Sequence, residues 1–352
     1  MGAKTVLVTG ANGYIGKAVA CAFVRAGWVT YGLIRSAQSS VSLTADEVIP
    51  VIGSIDDVTS HKIIQAELPS TLDLIVSTTE NTLDYAPHFE NMFSLLQTLS
   101  TSSSENGVRP LVIFTAGSKD YGVGPHLSGD LGVAPHDELS ELSPPLFAAP
   151  RVQHTPKLFK SNNPFAAVLV RPTNVYGRAS SYCSVCFRAG SRAASTENPR
   201  DRVLIAPAQP NWICHSLHID DYAEAYVAIA SAPRKAVEGE VFNISSEHYE
   251  TAEKIVGAIV KEYDIAGGVK YVDLEDVAAD EDASLAMAIG FPQWTSSKKL
   301  RMATGWTERR LPFSDAFHIY LLSYEAAAQL RDENVAKIGK SVVSLRSTVE
   351  SV

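Results

Sequence analysis

Apolar positions along the chain fall into short, nearly continuous runs separated by longer amphipathic stretches. Thr5–Thr9, Val29–Ile34, residues 48–52, residues 73–77, Leu111–Thr115, residues 165–170 and residues 241–245 read as strands too apolar to face water on either side. Between them, helices are predicted over residues 17–26, 59–68, 87–99 and 151–160, and an alanine-rich one over 222–230. In 87–99 the apolar stripe is Phe89, Met92, Phe93, Leu95, Leu96 and Leu99, and residues 101–107 read as a polar turn. Strands alternating with helices predict an α/β fold, a doubly wound Rossmann-type parallel sheet. Later helices at 252–263, 282–288, 297–302 and 314–331 and a short strand at 203–206 predict a smaller C-terminal substrate lobe. The expected division is a dinucleotide domain over 1–177, rejoined by 216–245. A lobe follows from 178–215 and 246–312, then a final helix and tail over 313–352. The tail from 335 to 352 alternates weakly and reads as an extended arm or a disordered end.

The first strand runs into Gly10, Gly13 and Gly16 and then directly into the first helix. Gly10 allows the turn, Gly13 lets backbone N–H groups approach phosphate oxygens, and Gly16 lets the helix pack closely on the sheet. With Asn12, Tyr14 and Ile15 this stretch is the candidate pyrophosphate cradle, because the opening N–H groups of a helix lack partners and favour an anion. Strand two ends in Arg35-Ser36, with no acidic residue for a ribose 2′-hydroxyl. A guanidinium offers fixed donors to a phosphate, so Arg35 with Ser36 points to NADP rather than NAD, the alternative being an ordinary surface arginine.

Several segments resemble the extended short-chain dehydrogenase/reductase family, the NAD-dependent epimerase/dehydratase-like group. They are Thr9-Gly10-Ala11-Asn12-Gly13-Tyr14-Ile15-Gly16, Gly53-Ser-Ile-Asp-Asp57, Arg171-Pro-Thr-Asn-Val-Tyr-Gly177, Ser216-Leu-His-Ile-Asp-Asp221 and Thr304-Gly-Trp306. The resemblance spans about residues 4–310. It implies that Asp56 meets the adenine, although this aspartate, Asp57 or Thr59 could equally cap the next helix. It also implies that Ser77 and Thr78 lie against the cofactor, and that Pro172 and Asn174 lie beside the nicotinamide. His218, Asp220 and Asp221 match a further polar set, with helix capping the better account of the two aspartates.

The resemblance breaks at the chemistry. Such enzymes carry a hydroxyl four residues before a Tyr-Gly after strand five, and a Tyr-x-x-x-Lys on the next helix. In Thr115-Ala-Gly-Ser-Lys-Asp-Tyr-Gly122 the Tyr-Gly is present at Tyr121, but the hydroxyl position holds Gly117, with Ser118 and Thr115 as substitutes. The next helix has no tyrosine four before a lysine. His154 lies three before Lys157 and is the alternative proton donor to Tyr121, with Lys157 on the ribose. The candidate catalytic set is therefore Thr115, Ser118, Tyr121, His154 and Lys157. Three accounts stay open: an NADP-dependent oxidoreductase acting on a carbonyl or alcohol, a non-redox isomerase, epimerase, dehydratase or cyclase, or a non-catalytic NADP-binding regulator.

The loop from Ala116 to about 150 exceeds thirty residues and leaves the carboxyl end of a strand, so it should border the substrate. Its His126 and His136 read as solvated rather than pocket-lining. The Ser/Ala/Cys-rich text of 179–195 suits a small, apolar organic substrate better than a sugar nucleotide, although scattered arginines could hold a diphosphate. A formal charge of −9 and the lack of a Lys/Arg run argue against nucleic acid. No run of about eighteen apolar residues predicts a membrane span, and the N-terminus does not read as a signal peptide. Cys21, Cys183, Cys186 and Cys214 read as reduced thiols, with no metal expected, so the default location is cytoplasmic. The expected partner is a small-molecule substrate, with a homodimer left open.

Overall fold

The computed structural model describes residues 3–124, 126–179, 182–277 and 284–338. Seven parallel strands form the centre: β1 (Thr5–Thr9), β2 (Val29–Ile34), β3 (Ile49–Ile52), β4 (Leu74–Ser77), β5 (Leu111–Thr115), β6 (Ala166–Pro172) and β7 (Val241–Ile244), in the order β7-β6-β5-β4-β1-β2-β3. Alternate residues of each strand feed opposite faces. Val6, Val8, Leu74, Val76, Ile113 and Val168 pack under the first helix α1 (Tyr14–Arg25) and the helix Ile219–Ser231. Leu7, Leu33, Ile75, Val112, Phe114 and Leu169 pack under the helix Tyr85–Glu105. Burial on both faces explains why the strands inside the sheet show no polar alternation, while the edge strand β3 leaves Ile49 and Ile52 exposed. The strand order reverses between β1 and β4, which opens a crevice beyond their carboxyl ends.

A separate apolar cluster builds the lobe. Val185, Cys186 and Phe187 of the helix Ser184–Ala194 pack with Ile255 and Ile259 of Ala252–Glu262, and with Phe313, Phe317 and Tyr320. Short pairings, Leu204–Ala206 with Val269–Tyr271 and Ile213–Cys214 with Glu250–Thr251, complete it. Among the described residues no helix is long and apolar enough to cross a membrane.

Element boundaries differ from expectation where side chains meet backbone. Residues 101–105 are not a turn but continue the helix Tyr85–Glu105, because Ser100 and Ser103 are buried and Ser103 Oγ accepts from the Leu72 N–H at 3.0 Å. The helix expected over 59–68 is a 3₁₀ turn, Val58–Ser60, followed by His61–Ala66, and Asp57 caps the turn through the Thr59 N–H. The helix expected over 151–160 is split into Ala149–His154 and a 3₁₀ turn, Thr155–Phe159, since Pro156 has no N–H to continue the ladder. Residues 335–338 are helical rather than extended, and 339–352 lie outside the described residues. Of the helix expected over 282–288, the described part is Ala286–Ile289, with 282 and 283 outside the described residues.

Lobe and sheet are joined through Asp221, whose fully buried carboxylate accepts from the Arg309 and Arg310 N–H groups at 3.0 and 2.9 Å and from the Arg310 guanidinium at 2.9 Å. The role is structural, but it is not the helix cap expected of this aspartate: His218 caps the helix Ile219–Ser231 by accepting from the Asp220 N–H at 3.1 Å. Asp221→Ala leaves those donors unmet and should cost about 2–4 kcal/mol. Thermal unfolding of the variant checks this, and a midpoint equal to that of the parent would contradict the role.

Candidate active site

The turn after β1 has the geometry a pyrophosphate requires. Gly10 has φ +64, and the Gly13 N–H closes the turn onto the Gly10 carbonyl at 2.8 Å. A Cβ on Gly16 would lie 2.2 Å from that carbonyl oxygen, so the helix can sit this close only with glycine there. The first intrahelical bond runs from the Lys17 N–H to the Gly13 carbonyl, which leaves the amides of Tyr14, Ile15 and Gly16 at the helix mouth without a partner among the described residues. Tyr14 donates its hydroxyl to the Gly177 carbonyl at 2.8 Å and so ties the cradle to the chain leaving β6. Asn12 donates to Ser39 Oγ at 3.1 Å, and Ser39 in turn approaches Glu333 at 3.4 Å, bringing the C-terminal segment to the rim.

Arg35 stands exposed at the end of β2, with no hydrogen bond or ion pair to any described residue, and Ser36 caps the turn Ala37–Ser39. Asp56 bonds His88 Nδ1 at 2.9 Å and keeps half its side chain open to solvent. Thr78 donates to the Thr9 carbonyl at 2.6 Å, while Ser77 Oγ is buried without a partner among the described residues. Pro172 ends β6, and Asn174 starts the short strand Asn174–Tyr176 that pairs with Ser216–His218. The donors and the glycine cradle fit a dinucleotide.

The expected catalytic residues are not brought together. Thr115 Oγ1 is taken by the buried Tyr226 hydroxyl at 2.8 Å. Ser118 Oγ donates to Gln293 Oε1 at 2.6 Å, and Gln293 also clamps the carbonyls of Ser118 and Gly122. The Tyr121 hydroxyl is buried between Asn243 at 2.8 Å and Arg171 at 3.3 Å. His154 bonds the Pro150 carbonyl at 2.8 Å and packs on Phe89, and Lys157 pairs with Glu90. His154 and Lys157 thus serve the contact with the helix Tyr85–Glu105. His126 and His136 are half-buried rather than freely solvated. They meet edge-on with ring centroids 4.6 Å apart, and His136 stacks on Tyr121, because the long loop is strapped down by the Trp294 N–H on His126 at 3.1 Å.

A charge network invisible in the motifs takes their place. Arg151, from the helix Ala149–His154, is buried with Nε 2.7 Å from Asp120 Oδ1 and Nη1 2.7 Å from Glu80 Oε1. Arg171 reaches the other Asp120 oxygen at 3.3 Å. A Cβ on Gly117 would lie 3.1 Å from Arg151 Nη2, so the missing hydroxyl at that position leaves space that the guanidinium fills. Burial pushes the Asp120 carboxyl up, and Arg151 and Arg171, whose guanidinium groups keep their protons, oppose that shift. Beside this network Lys119 projects between the rings of Phe291 and Phe147, 4.4 and 5.8 Å from their centroids. Tyr182, from the lobe, lies near Glu80, and burial followed by that carboxylate pushes its phenol up. Among the described residues no cluster of His, Cys, Asp and Glu could hold a metal.

The sequence matches the NAD dependent epimerase/dehydratase family over residues 6–245, and the chain belongs to that family. It is an enzyme family, so the chain is assigned as an enzyme. A search of curated proteins by sequence gives no match. The fold is similar to UDP-glucose 4-epimerase from Bifidobacterium longum in complex with NAD+ and UDP, at 15% identity and TM-score 0.67 over 94% of this chain and 100% of that one. It is similar to the UDP-glucose 4-epimerase of Thermus thermophilus in complex with NAD, at 18% identity and TM-score 0.64, covering 92% and 99%. An NAD dependent NDP-hexosamine 5,6-dehydratase of tunicamycin biosynthesis is similar at 17% identity and TM-score 0.65, covering 92% and 98%.

Arg151→Met strips Glu80 and Asp120 of their shared partner. The expected loss of unfolding free energy is about 3–5 kcal/mol, the usual cost of breaking a buried pair from one side. Urea unfolding measures it, and a loss under about 1 kcal/mol would show the network to be ornamental.

Proposed function

We propose that the protein is an NADP-dependent oxidoreductase acting on a carbonyl or alcohol of a small, largely apolar organic substrate, with a proton donor other than the usual tyrosine. The observation that carries the cofactor assignment is the unpartnered Arg35 at the carboxyl end of β2, where no carboxylate is present to receive a ribose hydroxyl. The unused amides of Tyr14 to Gly16 would hold the pyrophosphate, Arg35 and Ser36 the 2′-phosphate, and Asp56 the adenine. Ser77, Thr78, Pro172 and Asn174 would border the ribose and nicotinamide. Bound there, the nicotinamide supplies hydride exchange. Lys157, engaged by Glu90, is given no part in it.

The apolar substrate is supported by Phe147, on the loop before the helix Ala149–His154, and by Phe291 and Tyr182 of the lobe, which stand by Lys119 and Glu80. A second reading, isomerisation, epimerisation or dehydration with no net change in the cofactor, is favoured by the two epimerases and the dehydratase among the similar folds. NADPH consumption across a panel of apolar ketones and aldehydes separates the two, since only the first reading consumes the cofactor.

Arg35→Ala tests the cofactor assignment. Losing one charge-assisted contact worth about 1.5–3 kcal/mol should weaken NADP binding roughly tenfold to a hundredfold and leave NAD within about twofold. Isothermal titration of both dinucleotides reads this directly, and equal losses for the two would refute the 2′-phosphate role.

A further inference from the structure

Lys119 is a cation of this rim that the network does not absorb. Arg151 is met by Glu80 and Asp120, and Arg171 by Asp120 and the Tyr121 hydroxyl. The Lys119 ammonium has neither a hydrogen bond nor an ion pair among the described residues, only the faces of two phenylalanines. An ammonium half-buried without an acceptor is costly, and the faces of Phe291 and Phe147 offset only part of that cost. Its position is also informative. Lys119 lies in the 3₁₀ turn Ser118–Tyr121 that leaves β5, two residues beyond Gly117. Phe147 stands on the loop just before the helix Ala149–His154, and Phe291 belongs to the lobe, so the amine is held where sheet and lobe face each other.

We propose that Lys119 is the residue that exchanges a proton with the reacting oxygen of the substrate. The assignment rests on reading this rim as a carbonyl or alcohol site. In the step itself the neutral amine takes the proton of a substrate hydroxyl, leaving ammonium and alkoxide, and the ammonium returns a proton to oxygen in the opposite direction. One N–H bond forms as one O–H bond breaks, and no oxidant enters. The surroundings suit this exchange. Burial, and then the neighbouring Arg151 guanidinium, lower the Lys119 ammonium from 10.5 to about 8, so both protonation states are populated near neutral pH. Arg151 is the charged group that faces it; the carboxylates of Glu80 and Asp120 are bonded to Arg151 and do not pair with the amine. Phe147 and Phe291 contribute no titrating group.

The first test needs neither substrate nor cofactor. The full chain is labelled with trace acetic anhydride between pH 6 and 11, and acetylation of Lys119 is followed by peptide mass spectrometry. A midpoint near 8 is expected, and a midpoint near 10.5 overturns the proposal. The second test uses whichever carbonyl of the panel is consumed. Lys119→Met should lose turnover at least about a hundredfold, within the usual range for removing an acid–base group. It should keep its NADP affinity and recover at least tenfold with added ethylamine. Lys119→Arg, charged but unable to release a proton at this pH, should stay as inactive as Lys119→Met. Full activity in Lys119→Arg, or no rescue of a folded Lys119→Met, would overturn the role. If no panel member is consumed while the labelling midpoint lies near 8, the oxidoreductase reading fails and the poised amine stands.

Discussion

Gly16 lies so close to the Gly10 carbonyl that no side chain fits between them, and the remaining architecture follows from that contact. It sets the first helix against β1 with its mouth over the strand's carboxyl end, where three amides face outward. It also fixes the helix against Ile219–Ser231, so the face of the sheet under both is sealed by one apolar cluster. The groove and the core are therefore consequences of the same short stretch. A larger residue at 16 would disturb both together.

The other end of the groove is organised by charge. β4, β5 and β6 deliver Glu80, Asp120 and Arg171 from three consecutive strand ends, and Arg151 enters from the helix Ala149–His154 to join two of them. Gly117 makes room for it. Where the family pattern places a hydroxyl, this chain holds a buried guanidinium, and the hydroxyls of Thr115, Ser118 and Tyr121 are spent on Tyr226, Gln293 and Asn243. The rim is polar and cross-bonded, and the proton exchange proposed beside it belongs to Lys119.

The sheet was legible because all its strands but the edge strand β3 are largely buried on both faces and so appear as unbroken apolar runs, and the glycine spacing located the groove directly. The family assignment followed from the same residues. The charged network was not legible. Arg151 is 31 residues from Asp120 and 71 from Glu80, and only the parallel topology brings the three together. The pattern of the helix after the long loop favoured His154 and Lys157, three apart on one face, but that face turns to Glu90 and Phe89. The loop's polar composition made His126 and His136 look solvated. The Trp294 N–H on His126 and the stack of His136 on Tyr121, which leave no trace in composition, hold them half-buried. Ser103 misled in a similar way, since a buried serine bonded to a neighbouring backbone looks like a turn residue in sequence.

The most direct measurement is titration of the unmodified chain with NADP and with NAD, followed by difference spectroscopy. The unpaired Arg35 and the three unused amides predict saturable binding of both, with NADP bound at least about tenfold more tightly, the difference made by one charged contact. Failure to bind either dinucleotide, or tighter binding of NAD, would contradict the account.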